Sequence, residues 1–184
     1  MNSANYFREA ISKLKTVGSV VPSSPKLARA MVRKVDSHLP QIIVELGTGE
    51  GAITRSILAK MHADSYLVAF EINELFLTSL RKIKDERLII INDSALEINK
   101  HLKELKLPHA DIIISSLPLV MFQKRFSYKI ISACHQALKK NGSYIQFHYS
   151  NLYKKLYERI FESVEVSFVL NNLPPAFVFE CIRK

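Results

Sequence analysis

From residue 41 onward, short runs of β-branched and aromatic residues alternate with longer amphipathic stretches. The runs have the length of strands, and the pattern predicts strands at Gln41–Glu45, Tyr66–Glu71, Leu88–Asn92, Asp111–Ser115, Ser143–His148, Val164–Leu170 and Ala176–Ile182. The stretches between them have a helical period and predict helices at Ala52–Met61, Glu74–Ile83, Ser94–Leu105, Gln123–Lys139 and Asn151–Phe161. Strands that alternate with helices form a mainly parallel sheet covered on both faces. The pattern therefore predicts a doubly wound α/β domain.

The loop Asn171–Pro175 joins the last two predicted strands without a helix. Such a short connection cannot cross over to a parallel neighbour, so these strands should pair as an antiparallel hairpin. A plain dinucleotide-binding domain would instead continue with another crossover helix. The expected fold is thus a Rossmann-like, doubly wound and mainly parallel sheet that ends in an antiparallel hairpin.

Two further helices are predicted before the sheet, at Ala4–Val17 and Lys26–Leu39. The first is amphipathic, with a basic polar side and an apolar stripe formed by Tyr6, Phe7, Ala10, Ile11, Leu14 and Val17. The second follows Ser24, a suitable N-cap, and Pro25, which suits the first helical turn. The chain has no internal repeat, low-complexity tract or Gly/Ser linker. We therefore expect one domain over residues 1–184, with the two helices in 1–40 and the sheet in 41–184.

The composition is that of a globular protein, with 48% hydrophobic and 23% charged residues. No apolar run approaches the roughly 18 to 20 residues that span a bilayer, and the first residues lack the apolar core of a signal peptide. These features predict a soluble, cytoplasmic protein. Cys134 and Cys181 are far apart and have apolar surroundings, which favours buried free thiols. The six histidines have no metal-ligand spacing, so no metal site is expected.

The net charge of +9 suggests a class of partner. Such a charge favours attraction to an anion, either a nucleic acid or a membrane surface rich in acidic lipid. It is also compatible with a basic surface that has no specific partner. Charge alone does not choose among these.

Residues 42–54 combine an apolar strand, a Gly-x-Gly-x-Gly turn and the start of a helix. Gly47, Gly49 and Gly51 permit unusual backbone angles and let a ligand touch the backbone. A glycine triplet of this kind fits nucleotide cofactors in general. Glu45, two residues before the turn, would repel the phosphates of a dinucleotide but suits the ammonium and sulfonium of S-adenosylmethionine. The pattern therefore favours S-adenosylmethionine as the cofactor.

Two more acids are spaced for the rest of this cofactor. Glu71 ends the second predicted strand, where a carboxylate can accept hydrogen bonds from both ribose hydroxyls; a solvated acid at a strand end is the alternative. Asp93 follows the third strand and can accept from the adenine amine, although Asp-Ser is also a common helix cap. The other residues expected at the cofactor, some of which could serve only as caps or turn formers, are Ile72, Ser94, Ala95, Ser115, Ser19, Ser23 and Ser24.

In the order and spacing of Glu45, the glycine turn, Glu71 and Asp93, the chain resembles class I methyltransferases over Gln41–Lys184. The resemblance implies transfer of a methyl group from S-adenosylmethionine by a single domain of this fold. The acceptor of the methyl group has to be inferred from other segments.

The segment Ser115–Leu119, which follows the fourth strand, bears on the acceptor. Enzymes that methylate adenine amines usually have Asn or Asp, then Pro, then an aromatic residue at this place. The polar group binds the amine, and the ring stacks on the base. This chain has Ser116 in place of the amide and Leu119 in place of the ring. The base-stacking platform is therefore missing, whereas an aliphatic amine needs only a snug apolar mouth.

Three segments together resemble the bacterial phospholipid N-methyltransferases, namely Gly18–Ala28, Ser115–Leu119 and Asn172–Ala176. The resemblance covers nearly the whole chain and implies methylation of phosphatidylethanolamine towards phosphatidylcholine; close relatives act on ornithine lipids. Thr48 and Glu50 depart from the commoner family turn, which often has Pro and Thr there, but they only flank the glycines. The basic first helix would lie among acidic headgroups of the membrane, or else pack on the sheet. The implied location is peripheral, at the inner face of the cell membrane.

Ser116, Tyr149 and His148 are the candidate catalytic residues. Tyr149 matches a family position near the acceptor, where it could hold the amine or face the growing cation. His148 could accept the proton, although strand alternation turns it away from Tyr149. Both residues also have ordinary structural interpretations. The lipid phosphate would pair with a basic residue, and the candidates are Lys13, Lys15, Lys26 and Arg125.

Two other functions remain open from the sequence. An RNA adenine methyltransferase would suit the net charge of +9, but nucleic acid is the less expected partner because the stacking ring is missing. A non-catalytic protein that binds the cofactor or a membrane is the third interpretation, and the intact glycine turn argues against lost cofactor binding. No obligate protein partner is evident.

Overall fold

The computed structural model describes residues 24–184, which form a seven-stranded sheet with helices on both faces. The strands are β1 (Ile42–Leu46), β2 (Tyr66–Phe70), β3 (Leu88–Ile91), β4 (Ala110–Ser115), β5 (Leu138–His148), β6 (Ser163–Val169) and β7 (Ala176–Ile182). The helices are α1 (Pro25–Met31), α2 (Ala52–Lys60), α3 (Glu74–Leu80), α4 (Ile98–Glu104), α5 (Lys124–Ala137) and α6 (Lys154–Ile160). Short 3₁₀ turns lie at Ala95–Glu97 and Leu119–Met121.

The strands lie in the order β3-β2-β1-β4-β5-β7-β6. Neighbours are parallel from β3 to β5, and β7 is antiparallel to both β5 and β6. This confirms the predicted doubly wound, mainly parallel sheet with a terminal antiparallel hairpin. The winding of the chain reverses between β1 and β4, and ligands of such sheets bind at the carboxyl ends of the strands beside that reversal.

The core is divided between the two faces of the sheet because side chains alternate along each strand. On β1, Ile43 packs with Ile57 and other residues of α1 and α2. Leu46 belongs to the cluster on the other face, which includes residues of α4 and α5. Cys134 and Cys181 are free and buried in this second cluster, as predicted.

Helix α1 begins as predicted but ends earlier. The Ser24 hydroxyl accepts a hydrogen bond from Leu27 N–H at 3.2 Å, which confirms Ser24 as the N-cap. The helix ends at Met31 rather than at residue 39. The reason is that the ammonium of Lys60 donates to the next two backbone carbonyl oxygens, at 2.9 and 2.7 Å, so that the chain turns there instead of continuing the helix.

Strand β5 begins at Leu138, well before the predicted start at Ser143. The residues between them are mostly polar and exposed, so the alternation that marks a strand is missing there. Asn141 has a positive φ of 62°, and the pairing with β4 shifts register in this stretch. The Arg183 guanidinium donates to the carbonyl of Leu138 and so fixes the point at which α5 gives way to the strand.

Helix α3 ends at Leu80, three residues before the predicted end at Ile83. Two other helices differ from expectation mainly at their starts. The helix predicted from Ser94 opens with a 3₁₀ turn, because the Ser94 hydroxyl accepts from Leu96 N–H and caps that turn. The helix predicted from Asn151 starts at Lys154. The predicted first helix Ala4–Val17, together with Ser19 and Ser23, lies outside the described residues. Within residues 24–184, no helix is both long and apolar enough to cross a bilayer.

Candidate functional site

The glycine turn leaves β1 at the reversal point of the sheet. Gly47, Gly49 and Gly51 have positive φ angles of 76°, 53° and 82°, a conformation that glycine adopts without strain. A Cβ on Gly47 would lie 2.8 Å from Cδ2 of Leu117, so the turn touches the loop after β4 closely. A Cβ on Gly49 would meet no described atom within 4 Å, so the middle of the turn faces open space where a ligand can approach the backbone.

Glu45 is fully buried at the end of β1, just before this turn. Neither carboxylate oxygen has a hydrogen-bond partner among the described residues. Burial raises the pKa of Glu45 to about 8 against an opposing effect of the nearby Thr54, and the charge of Glu71 acts in the same direction as burial. A buried acid without a partner is costly, and a cation placed beside it removes that cost. The ammonium of S-adenosylmethionine is such a cation, so the site fits the predicted cofactor at this point.

Glu71 is buried and holds the glycine turn in place. Its Oε2 accepts from Gly49 N–H at 3.0 Å and from the Thr48 hydroxyl at 3.3 Å. Its Oε1 accepts from the N–H groups of Ile72 and Asn73, both at 2.9 Å. A carboxylate offers about four acceptor sites, so Glu71 is saturated. A ribose diol that binds Glu71 must therefore replace a donor from the turn, and the long contact with Thr48 is the easiest to replace.

Asp93 follows β3 and has a partner that sequence analysis missed. Its Oδ1 accepts from Ser94 N–H at 2.7 Å, and its Oδ2 lies 2.9 Å from Nε2 of His101. Partial burial raises the pKa of Asp93, but the hydrogen bonds from His101 and Ser94 outweigh that effect and leave the pKa below its usual value. His101 stands on α4, eight residues along the chain, and no local periodicity links it to Asp93. Each oxygen keeps an acceptor site that an adenine amine can use.

Ile72, Ala95 and Ser94 are all buried beside these acids. Ile72 and Ala95 belong to the same apolar cluster of the core. The structure therefore brings the predicted adenine-side residues together with the ends of β2 and β3. Their contact with the cofactor stays a prediction.

The acceptor loop Ser115–Leu119 is braced from several sides. Ser116 N–H donates to the carbonyl of Leu46 at 2.8 Å, which ties the loop to the end of β1. The Leu119 carbonyl accepts from the hydroxyls of Ser127 and Tyr153, at 2.8 and 2.9 Å. The side chain of Leu119 is fully buried. The loop is thus rigidly held, and Leu119 is part of the core rather than a surface on which a base could stack.

Three further polar groups of this loop differ in whether they have a hydrogen-bond partner. The Ser115 hydroxyl, fully buried, accepts from Leu117 N–H at 3.4 Å. The Leu117 carbonyl accepts from the buried side chain of Gln146 at 3.1 Å, a bracing contact that sequence analysis missed. The Ser116 hydroxyl oxygen is buried and has no partner among the described residues. It is the free polar atom of the loop at the place where an acceptor amine is expected.

Tyr149 and His148 lie on opposite sides of the chain at the end of β5. Tyr149 is 45% exposed and its ring packs edge-on against Phe147, with ring centres 5.6 Å apart. Partial burial raises the pKa of Tyr149, against the effect of a hydrogen bond with Asn172. Tyr149 is therefore open to a substrate, as its predicted role requires.

His148 is buried in an aromatic cluster with Tyr153, Tyr157 and Phe179. Its Nε2 lies 2.8 Å from the Tyr157 hydroxyl, and burial lowers the pKa of His148 to about 4. The structure does not bring His148 together with the glycine turn or with Ser116. Its predicted role as proton acceptor has no supporting contact, because its ring faces the core.

Ser24 joins two segments that carried the lipid-enzyme resemblance. Its N–H donates to Oδ1 of Asn172 at 3.3 Å, and Nδ2 of Asn172 donates to the Pro174 carbonyl at 2.7 Å. The Ser24 hydroxyl is used as the cap of α1. The start of α1 is thus fastened to the β6–β7 hairpin near Tyr149, and cofactor contact by Ser24 stays a prediction.

A sequence model of the family described as ribosomal RNA adenine dimethylase matches residues 15–164 of this chain. The chain belongs to the ribosomal RNA adenine dimethylase family. As a member of this family it is an S-adenosylmethionine-dependent N-methyltransferase. The resemblance to class I methyltransferases is confirmed by this result, while the finer assignment to the phospholipid enzymes is not decided by it.

The relatives of this member of the dimethylase family are named for different substrates, a lipid in one case and ribosomal RNA in another. The ornithine lipid N-methyltransferase of Singulisphaera acidiphila is 29% identical over 90% of this chain and 88% of its own length. The ribosomal RNA small subunit methyltransferase A of Thermotoga neapolitana is 26% identical over 100% of this chain and 74% of its own length. Among solved structures, magnesium protoporphyrin IX methyltransferase from Synechocystis PCC 6803 with bound S-adenosylmethionine has a TM-score of 0.64 at 13% identity, covering 100% of this chain and 86% of the other. That likeness concerns the fold alone.

S-adenosylmethionine, when bound, supplies an electrophilic methyl group. The residues of this family member fit its ammonium, its ribose and its adenine. Glu45 offers an unpaired carboxylate for the ammonium. Glu71 and Asp93 stand at the ends of β2 and β3, in the order of ribose and adenine. The open side of Gly49 leaves room between them.

Proposed function

We propose that the protein transfers methyl groups from S-adenosylmethionine to the amine of a membrane-lipid headgroup. The proposal rests on the chemical type and the burial of Leu119. It occupies the place where adenine methyltransferases present an aromatic ring, and it is aliphatic and fully buried. Stacking on an aromatic ring is a main source of base recognition, and this loop has none to offer.

An aliphatic amine makes smaller demands, which the loop can meet. The unpaired hydroxyl of Ser116 can accept one N–H of the amine, and the exposed ring of Tyr149 can face the cation that forms on methylation. A headgroup ammonium has a pKa of about 10 in water, and apolar surroundings lower it, so the proton can leave to solvent before attack. The nitrogen lone pair then forms the new N–C bond as the methyl–sulfur bond breaks.

Two lipids with a primary amine are candidates. The three sequence segments that resemble the phospholipid enzymes favour phosphatidylethanolamine, and its methylation towards phosphatidylcholine is the specific reaction we propose. The similarity to an ornithine lipid N-methyltransferase supports ornithine lipid as the competing acceptor. In either case the protein would act as a peripheral protein at the inner face of the cell membrane.

Methylation of adenine in ribosomal RNA is the second candidate function. The family match and the similarity to the Thermotoga neapolitana enzyme favour it, as does the net charge of +9. The lipid proposal ranks above it because Ser116 and Leu119 replace the two residue types that read the base.

The test is methyl transfer from labelled S-adenosylmethionine by the purified full chain. Mixed micelles of phosphatidylethanolamine, micelles of ornithine lipid, and small-subunit ribosomal RNA are offered separately, with products identified by mass spectrometry. We expect label in mono-, di- or trimethylated phosphatidylethanolamine. Label in ornithine lipid alone would replace the specific acceptor, and label in RNA alone would overturn the lipid proposal.

A further inference from the structure

Five apolar side chains are exposed in the three connections that leave the carboxyl ends of β4, β5 and β6. They are Val120, Met121, Leu152, Leu170 and Leu173, and their exposed fractions are 41%, 53%, 80%, 71% and 83%. We refer to these five residues as the apolar rim. Single exposed apolar residues are ordinary on protein surfaces, but several at one edge of a domain indicate an interaction surface.

The three connections lie side by side. Strands β4 and β5 are neighbours, and only β7 separates β5 from β6. The Tyr153 hydroxyl in the second connection donates to the Leu119 carbonyl in the first, at 2.9 Å. Strand β7 pairs its start with the ends of both β5 and β6, since Phe177 lies opposite His148 and Ala176 opposite Val169, so the second and third connections leave the sheet at the same end. The apolar rim therefore occupies one edge of the sheet, the same edge that holds the glycine turn and the acceptor loop.

The charge around the apolar rim is one-sided. The three connections, residues 119–123, 149–153 and 170–175, contain no Asp or Glu. The first two lead directly into the basic pairs Lys124–Arg125 and Lys154–Lys155, of which Lys154 also pairs with Glu158 at 3.4 Å. Helices α5 and α6, which begin with these pairs, have no acidic residue in their first turns. The helix dipole disfavours cations at the start of a helix. Lys124 and Arg125 stand at the start of the 14-residue helix α5, and an external anion bound there would offset this unfavourable interaction.

We propose that the apolar rim docks into the headgroup layer of an anionic lipid bilayer, with the basic pairs on acidic headgroups. This inference rests on the proposed function, since a lipid acceptor must reach the site from a membrane. An apolar surface bordered by lysines is the composition that binds such interfaces. RNA would engage the basic residues but leave the leucines exposed. A second copy of the chain would bring like charges together. None of the five residues of the apolar rim belongs to the predicted first helix, so the proposal does not depend on that helix.

The experiment compares the full-length wild type with two variants. The double variant Leu152→Asp/Leu170→Asp places charges in the apolar rim at positions where the native side chains are mostly exposed, so folding should be preserved. Leu39→Asp is the matched control, because Leu39 is 62% exposed and precedes β1 at the opposite edge of the sheet. Binding to vesicles of phosphatidylethanolamine and phosphatidylglycerol is measured by sedimentation, and melting curves verify folding. Methyl transfer to phosphatidylethanolamine in detergent micelles is measured in parallel.

We expect the double variant to lose at least tenfold in vesicle affinity while the control stays within twofold of wild type. Lys124→Gln/Lys155→Gln should weaken binding to these vesicles and flatten its dependence on salt. Unchanged vesicle binding in the double variant would overturn the docking proposal, and so would a change in its oligomeric state with vesicle binding intact. Failure of the proposed function gives a different result, in which wild type methylates no micellar lipid although it binds S-adenosylmethionine.

Discussion

The two edges of the sheet differ in how completely their polar side chains are paired. At the amino-terminal edge, half-buried polar side chains have hydrogen-bond partners. Arg87 pairs with Asp85 at 2.6 Å and also donates to the carbonyl of Leu58 at 2.9 Å. Asp111 accepts from Ile42 N–H at 2.6 Å. This edge behaves as the structural end of the domain.

At the carboxyl-terminal edge, the chain leaves polar atoms without partners. Among the described residues, the buried side-chain oxygens that lack a hydrogen bond belong to Glu45, Thr54 and Ser116. Glu45 stands at the end of β1, Ser116 just beyond the end of β4, and Thr54 in the first turn of α2, which follows the glycine turn. Unpaired buried polar groups cost stability, so their concentration at one edge indicates that a ligand completes them. The carboxyl-terminal edge is therefore where the protein gives up folding stability in favour of ligand binding.

The largest effect expected from this contrast is a pH dependence of stability at Glu45. Its pKa is raised from 4.5 to about 8 on folding, so the folded state binds this proton more tightly. The stabilisation is fully present below pH 4.5 and is lost as pH rises through about 8. At about 1.4 kcal/mol per pKa unit, the loss amounts to a few kcal/mol.

Glu45→Gln should therefore be more stable than wild type at pH 8.5 and about equal to it at pH 4.5. Urea unfolding at several pH values, with the cofactor absent, measures the difference in unfolding free energy. A difference that does not grow with pH would show that Glu45 is not a buried acid with a raised pKa.

The same substitution should weaken the cofactor. Loss of a charged hydrogen-bond partner costs about 1.5–3 kcal/mol, which corresponds to a rise of roughly 10–100-fold in the Kd for S-adenosylmethionine. Titration calorimetry on Glu45→Gln measures this Kd. Glu50→Gln, which changes an acid next to the glycine turn, is the matched control and should bind like wild type. Equal affinity in both variants would remove Glu45 from the cofactor site.

A substitution at the opposite edge should do the reverse. Arg87→Met leaves Asp85 and several carbonyl oxygens without their donor, and we expect a loss of about 2 kcal/mol in unfolding free energy. The Kd for S-adenosylmethionine should stay within twofold of wild type. A large change in this Kd would break the division of the two edges into a structural and a binding end.

The smallest expected change in cofactor affinity comes from Thr48 in the glycine turn. Thr48→Val removes one donor from the saturated carboxylate of Glu71, and so removes a competitor of the ribose hydroxyls. At 3.3 Å this hydrogen bond is long and contributes about 0.5 kcal/mol, so the Kd for S-adenosylmethionine should fall by about twofold to threefold. Thr48→Ser keeps the hydroxyl and should bind like wild type. A weaker Kd in Thr48→Val would mean that Thr48 supports the ribose site rather than competing for it.

Sequence patterns predicted the sheet well because its central strands β1, β2 and β4 are buried on both faces and are marked by apolar runs. The start of β5 escaped prediction because Lys139, Lys140 and Asn141, which belong to the strand, offer no apolar side chain to reveal it. The early end of α1 depends on Lys60, which is distant in the chain. Such contacts are tertiary, and no local pattern encodes them.

The sequence predicted which residues form the candidate site but not the hydrogen bonds between them. The positions of Glu45, Glu71 and the glycine turn follow from local spacing. The saturation of Glu71 and the pairing of Asp93 with His101 depend on how neighbouring elements meet. The apolar rim was also invisible, because an exposed leucine and a buried one look the same in a sequence.

The close approach of Gly47 to Leu117 has an evolutionary consequence. These two positions belong to different halves of the reaction, since one lies in the cofactor turn and the other in the acceptor loop. The φ of 76° favours glycine at position 47 whatever residue stands at 117, whereas Cδ2 of Leu117 is the flexible end of a side chain and can shift. In homologous sequences position 47 should therefore stay glycine while position 117 varies. A lineage that exchanged one acceptor for another would then record that change at 117 and leave the cofactor turn unaltered.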